Sequence, residues 1–445
     1  MASATQRLIG TSRLSIREEA AFQQPELARS VVSLSQYKED ADVLARIFQS
    51  LHDTHVPLRG GGTSWLVFHD AGTESSSLLD AHLYGGSSGV ALFLAAYYLV
   101  TKDARAFDLA LSTIAPLRAK MKELAAASEA IRQRSIPIGG LIGLGAFVYV
   151  FTRLAAWLNM PELLDGANVA CNLITPDRIR ADQKFDIVKG SAGALLCLLV
   201  LERAAAEPAM RQHALDMAIM CGQHLLDRRV SQESGARAWP VVGVAAISGF
   251  GHGAAGIAYA LVRLFERTGE KHFLAAAEEA CEFERSIYDR KAKTWFDPRF
   301  KRLLEHAAWC HGAPGIALGR VASLAAMPSG AVRSDIQESL ANTCSLPIYP
   351  LDDLCCGNFG RIEILHIAGQ RLGQPQFLDA SYSLRTEVLR RAAISGFLFG
   401  SAKQQDHAKR TLKLQPSLFR GLSGAGYTLL RMMEPDLLPS ILLLE

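Results

Sequence analysis

With 445 residues, 49% apolar and 20% charged, the chain has the composition of an ordinary globular protein with ample material for a large core. Its net charge of +3 is slight, and its basic residues are scattered without interleaved aromatics, which argues against nucleic acid as a partner. The longest apolar stretch beside a glycine turn, Gly89 to Val100, is too short to span a bilayer, and the N-terminus lacks a signal core, so a cytoplasmic protein with no membrane span is expected.

Residues 1–40 carry no repeat and read as a polar lead-in to one domain over 41–445. A helix is predicted over Tyr37–Leu51, and 57–77 (PLRGGGTSWLVFHDAGTESSS) is predicted to be irregular or short β structure. Then a small-residue turn, Gly-x-x-Gly followed by an apolar run, recurs seven times. Its copies begin at Gly86, Gly140, Gly190, Gly253, Gly312, Gly357 and Gly421. The runs after the turns, such as GIAYALVRLF (256–265) and GAGYTLLRMM (424–433), are apolar nearly all round, as inner helices are. Between them lie amphipathic segments. In 270–289, Phe273, Ala276, Ala277, Ala280 and Phe283 share one face, with charges opposite.

Successive turns are 54, 50, 63, 59, 45 and 64 residues apart, which suits two helices and a variable loop. The expected fold is all-α: an α/α toroid of seven inner and seven outer helices. A glycine turn at each inner N-terminus lets backbones converge, and it aims free N–H groups at one mouth of the ring.

Chemistry-bearing residues cluster before three consecutive turns: Gly-His-Gly at 251–253, Trp-Cys-His-Gly at 309–312 and Cys-Cys-Gly at 355–357. Eight cysteines in this length is no disulfide scaffold, and free thiols are the default. Cys310, Cys355 and Cys356 can supply three thiolate ligands to zinc; alone, the cysteine pair reads as well as buried structural thiols. Their equivalent places in successive repeats favour a shared site. His252, flanked by glycines, is a candidate general acid or base, and Asp186, just before Gly190, is its acidic counterpart or a capping carboxylate. His306 and His311 flank Cys310 as a fourth ligand, a substrate-orienting donor or a partner of a ligand. Lys189 and Arg361, beside their glycine turns, can meet an anionic group but read first as solvated charges.

GFGHGAAGIAYAL, WCHGAPGIALGR and LCCGNFGRIEIL resemble the lanthionine synthetase C-like cyclases, whose fold is a zinc-containing α/α toroid. The resemblance runs from about Thr63 to Glu445, and FRGLSGAGYTLLR and LPSILLLE look most like the C-terminal cyclase domain of class II lanthipeptide synthetases. It implies zinc held by Cys310, Cys355 and Cys356, the last standing where most members have histidine, as in a Cys-Cys-Gly subgroup. It also implies a catalytic His252 and an active-site Asp186. Some stand-alone members carry Arg and Tyr where this chain has His306 and His311, so no role carries over to those two.

The resemblance implies Michael-type addition of peptide cysteine thiols to dehydroalanine or dehydrobutyrine, forming thioether rings. The implied partner is a dehydrated, cysteine-containing precursor peptide. Class II synthetases precede this domain with a dehydratase, for which the sequence has no room; it reads equally as a free-standing cyclase, an excised domain or a truncated gene product, with a separate dehydratase as one source of substrate. The alternative is a catalytically idle zinc-containing scaffold that binds peptide. A glycosidase is disfavoured, because these positions offer thiols and histidine instead of facing carboxylates.

Overall fold

The computed structural model describes residues 34–68, 76–127, 136–240, 245–297, 299, 302–303, 307–400 and 415–445. Its helices are α1 (Leu34–Thr54), α2 (Ser87–Thr101), α3 (Ala104–Ala126), α4 (Leu144–Trp157), α5 (Leu164–Asn172), α6 (Pro176–Ala181), α7 (Ser191–Ala204) and α8 (Pro208–Asp227). They continue as α9 (Ala254–Thr268), α10 (Lys271–Ser286), α11 (Ala313–Ser323), α12 (Gly330–Ser345), α13 (Asn358–Leu372), α14 (Pro375–Ser395) and α15 (Leu422–Met433). Every predicted glycine turn starts a helix. These helices, α2, α4, α7, α9, α11, α13 and α15, pack each on the next, and α15 packs on α2, closing an inner ring.

Their sequences explain the inner position. Ser191 to Glu202 on α7 and Asn358 to Gly369 on α13 are buried without a break, so these helices have no solvent face. Outside them, α3, α5, α8, α10, α12 and α14 each cover the inner helix that precedes them. The seventh outer place is taken by α1, the helix predicted over Tyr37–Leu51, which packs on α15. The first described helix thus completes the last repeat. Arg385 of α14, 1% exposed, fastens the junction by donating to Asp40 of α1 at 2.8 Å.

The turns work at the backbone. A Cβ on Gly315 would collide with the carbonyl of Trp309, and one on Gly360 with that of Leu354, six residues earlier in each loop. In six copies the first glycine caps the helix. In the second copy the helix starts only after Gly143, whose φ of 138° belongs to glycine. There an isolated bridge pairs Ile138 with Gly143 and uses the preceding residues for the loop.

Loops from outer to inner helices gather at the inner N-termini. Several carry short antiparallel strands, among them Leu66–Phe68 with Ser76–Leu78, Val230–Ser231 with Arg237–Ala238, and Thr294–Asp297 between Tyr288–Asp289 and Arg302–Leu303. Residues 69–75 of the predicted irregular stretch lie outside the described residues. Backbone hydrogen bonds stitch neighbouring turns: Tyr84 to Leu141 (3.1 Å), Gly140 to Ile187 (3.1 Å), Ile187 to Gly251 (3.2 Å), Phe250 to Trp309 (3.1 Å), Cys355 to Phe419 (3.2 Å) and Phe419 to Tyr84 (2.9 Å). Among the described residues, the fifth and sixth turns are joined instead through side chains. The Tyr349 hydroxyl donates to Ala307 O at 2.9 Å, and two cysteine sulfurs meet. From below, buried Leu438 and Ile441 to Leu444 fill the ring, and Trp309 Nε1 donates to Leu442 O at 3.3 Å. Among the described residues no helix is long and apolar enough to cross a membrane.

Candidate active site at the mouth of the ring

Cys310 stands two residues before the glycine that caps α11, and Cys355 and Cys356 immediately precede the one that caps α13. The ring brings their sulfurs together. Cys310 Sγ and Cys355 Sγ each lie 3.4 Å from Cys356 Sγ, and all three sulfurs fall within 4.8 Å of one another. All three are free thiols, Cys310 and Cys355 buried and Cys356 half-buried. A tetrahedral zinc with Zn–S of about 2.3 Å needs sulfurs about 3.8 Å apart, so the trio fits such an ion with little movement. Soft thiolates also suit it chemically.

The surroundings favour negative charge on this trio. Hydrogen bonding from Cys310, then from Cys355, pulls the Cys356 thiol well down, with Arg420 Nη1 3.9 Å from its sulfur. The same sharing, first with Cys355 and then with Cys356, pushes the Cys310 thiol up. The thiolate is thus favoured most at Cys356, beside the Arg420 guanidinium. Asp353 accepts from Cys356 N at 2.6 Å; burial pushes its carboxyl up to about 7 against the pull of Arg420. The Tyr84 phenol, stacked on Phe419 at 5.2 Å, is pushed up first by burial and then by Cys355 beside it.

One turn away, His252 Nδ1 lies 2.7 Å from Asp186 Oδ2. The other oxygen of Asp186 accepts from Lys189 N (2.7 Å) and Gly190 N (3.1 Å), so the start of α7 fixes the carboxylate. The imidazole is 32% exposed and the carboxylate 5%. With Nδ1 committed to Asp186, Nε2 is the working nitrogen. Gly251 keeps this histidine close to the thiols: a Cβ there would stand 3.1 Å from Cys310 Cβ. Glu284 of α10 braces the loop from behind, accepting from Gly249 N and Ala255 N at 3.1 Å each and from Arg320 at 2.7 Å.

His311 stacks on His252 with ring centres 5.5 Å apart. Arg299 Nη1 faces its Nε2 at 3.2 Å, and Arg299 is itself held by Asp297 at 2.6 Å. A guanidinium can only donate, so Nε2 accepts and His311 is neutral. Burial, then Arg299, pulls its pKa down to about 3. His306 lies outside the described residues. Lys189 is exposed, as expected. Arg361 is not: it is 3% exposed and donates to Pro347 O (2.6 Å) and Leu346 O (2.8 Å), because the loop after α12 turns carbonyls toward this inner helix.

Sequence reasoning missed Tyr84, Asp353, Arg420, Arg299 and Glu284. For Arg420 a signal existed. Lys189, His252, His311, Cys356 and Arg420 all occupy the residue directly before a turn's first glycine, and the ring aims that position at the mouth.

A closed α/α ring with a thiol trio and a histidine–carboxylate pair at its inner N-termini defines a class of toroid proteins with a metal-ready mouth. The family described as lanthionine synthetase C-like protein matches residues 77–443, and the chain belongs to that family. Its fold is similar to that of nisin cyclase, at a TM-score of 0.58 and 13% identity over 91% of this chain and 95% of that one. A sugar epimerase from a ruminal bacterium matches at a TM-score of 0.45 and 11% identity, covering 89% and 98% of the two chains. Unsaturated glucuronyl hydrolase from Bacillus sp. GL1 matches at 0.42 and 12% identity, covering 90% and 96%. No curated protein matches the chain in sequence.

Proposed function

We propose that the chain is a zinc-dependent lanthipeptide cyclase acting on dehydrated, cysteine-containing precursor peptides. The observation that carries this reading is the convergence of Cys310, Cys355 and Cys356 beside the His252–Asp186 pair. Zinc held by the three cysteines supplies Lewis acidity, which at neutral pH favours the thiolate of a fourth, substrate sulfur whose free pKa is about 8.5.

The substrate sulfur attacks the β-carbon of dehydroalanine or dehydrobutyrine. As the C–S bond forms, the C=C pair shifts toward the carbonyl, and the resulting enolate collects a proton at Cα. His252 takes up the proton that the substrate thiol gives up and delivers it to Cα from Nε2, while Asp186 fixes the ring orientation and supports the imidazolium. The N–H groups at the starts of α7, α9, α11 and α13 favour the oxygen's developing charge.

Incubation with a dehydrated cysteine peptide, followed by thiol alkylation and mass spectrometry, tests the reading. Cys356→Ala is expected to lose metal and ring closure together. His252→Ala is expected to keep its zinc and close rings about 10²–10⁴-fold more slowly. Full activity without stoichiometric zinc would sink the proposal. Zinc without any ring closure in the intact protein would support the idle scaffold instead.

A further inference from the structure

A cleft of about 850 Å³ opens between the second and third repeats, within the range of pockets that hold ligands. Its wall reaches the site, because Lys189 lines it and its own N–H binds Asp186 at 2.7 Å. From Lys189 the order of neighbours is Asp186, His252, and then Gly251 against Cys310. A chain lying in the cleft would continue directly over the histidine and the thiols.

The lining has two characters. Leu124, Ile138, Val169 and Leu173, from α3, the second turn's loop and α5, form an apolar floor. Lys184 and Lys189 stand on the rim. Among the described residues neither ammonium has an ion-pair partner, and Lys189 is exposed. Arg178, which donates to Ile136 O at 3.1 Å, adds a third positive charge.

The two acids among the described lining residues are each already hydrogen-bonded. Asp177 is paired with Arg180. Asp182 accepts from Lys184 N (2.9 Å), Phe185 N (3.2 Å), Ser191 N (2.8 Å) and Ser191 Oγ (2.6 Å). Its lone pairs are spent on the loop and on the start of α7. Among the described lining residues, Arg178, Lys184 and Lys189 outnumber Asp177 and Asp182, which leaves a net positive charge above an apolar floor.

We propose that this cleft binds an acidic, partly apolar segment of the peptide substrate, with its carboxylates on Lys184 and Lys189 and its apolar side chains on the floor. The proposal rests on the reading of the chain as a peptide cyclase and names where the peptide is held outside the reacting residues. Two exposed charge contacts give modest affinity that weakens with salt, while the floor gives a component that does not.

The test uses the full chain and a fluorescein-labelled peptide of about eight residues alternating Glu and Leu, free of cysteine and of dehydrated residues. Fluorescence anisotropy is expected to show saturable binding that weakens with salt. Lys184→Glu with Lys189→Glu should weaken it about ten-fold or more, Lys184→Gln with Lys189→Gln less, and Lys120→Glu on the exposed face of α3 not at all. Far-UV circular dichroism identifies any variant that has not folded, and the glutamine pair then carries the comparison. Equal binding by the charge-reversed protein, or equal binding of a peptide alternating Lys and Leu, overturns the proposal. The probe cannot cyclise, so a negative result leaves the zinc and ring-closure tests standing, and their failure leaves this result standing.

Discussion

His366 offers a stability switch whose size follows from its surroundings. It sits on α13, 2% exposed, edge-on to Tyr382 at 5.9 Å, and among the described residues neither ring nitrogen has a hydrogen-bond partner. Burial, then the charge of Arg431, pulls its pKa from 6.5 down to about 3. The unfolded chain therefore takes up a proton below about pH 6.5 that the folded chain refuses until about pH 3. Proton uptake by the unfolded state alone means that stability is present above the unfolded pKa and is lost as pH falls across that window. At about pH 5 the loss from this one group comes to about 2 kcal/mol, and near neutrality it is only a few tenths. His366→Leu removes the titration and both orphan nitrogens while keeping an apolar side chain in the space. Urea unfolding of both proteins at about pH 7.5 and about pH 5 measures it, since the other titrating groups cancel in the difference. The variant's advantage should grow by about 2 kcal/mol at the lower pH. An advantage equal at both pH values would refute the reasoning.

Glu284→Ala would leave Arg320, 1% exposed, with Asp335 alone and strip Gly249 N and Ala255 N of their acceptor, so a loss of about 3–5 kcal/mol is expected by denaturant unfolding. Glu284→Gln keeps an acceptor for the two N–H groups and should cost clearly less; equal losses would show that the charge alone matters. Gly315→Ala drives a Cβ into Trp309 O and so displaces the loop that carries Cys310. Zinc bound per chain should fall in that variant even where it folds, and unchanged zinc would contradict the account of the turn. Chelation should raise amide hydrogen exchange at 307–312 and 349–357 above all, because side chains instead of backbone bonds join those two turns. Exchange that rose equally around the mouth would remove the metal from any part in closing that seam.

What was legible in the sequence was legible for a backbone reason. Glycine at the fourth position of each turn is demanded by a carbonyl lying against its Cα, a constraint that repeats with the ring and leaves the same mark each time. The inner helices follow from it, as do the mouth and the identity of the residues aimed into it. Cys310, Cys355, Cys356, His252 and Asp186 were therefore singled out by position as much as by type, and the ring brings them together. The second turn strays because its loop closes through the Ile138–Gly143 bridge.

Closure of the ring was less visible, because nothing local marks α1 as the outer partner of α15. The pairing depends on contacts such as Arg385 with Asp40, whose residues are far apart in the chain. Glu284 was hidden for a related reason. On α10 it reads as part of the charged outer face, yet it is 1% exposed, since the loop before α9 and Arg320 enclose it. Arg361 misled in the same direction. A charge on an inner helix needs partners, and its carbonyls lie on a loop that only the folded ring brings within reach. Several positions that sequence reading loses are thus ones whose partner sits a loop or a helix away, as with the Arg299–His311 contact behind His252. The residue before each first glycine is the one missed position with a local signal, because its direction is set by its own turn; that is why Arg420, an unremarkable arginine by type, belongs with the cysteines by place.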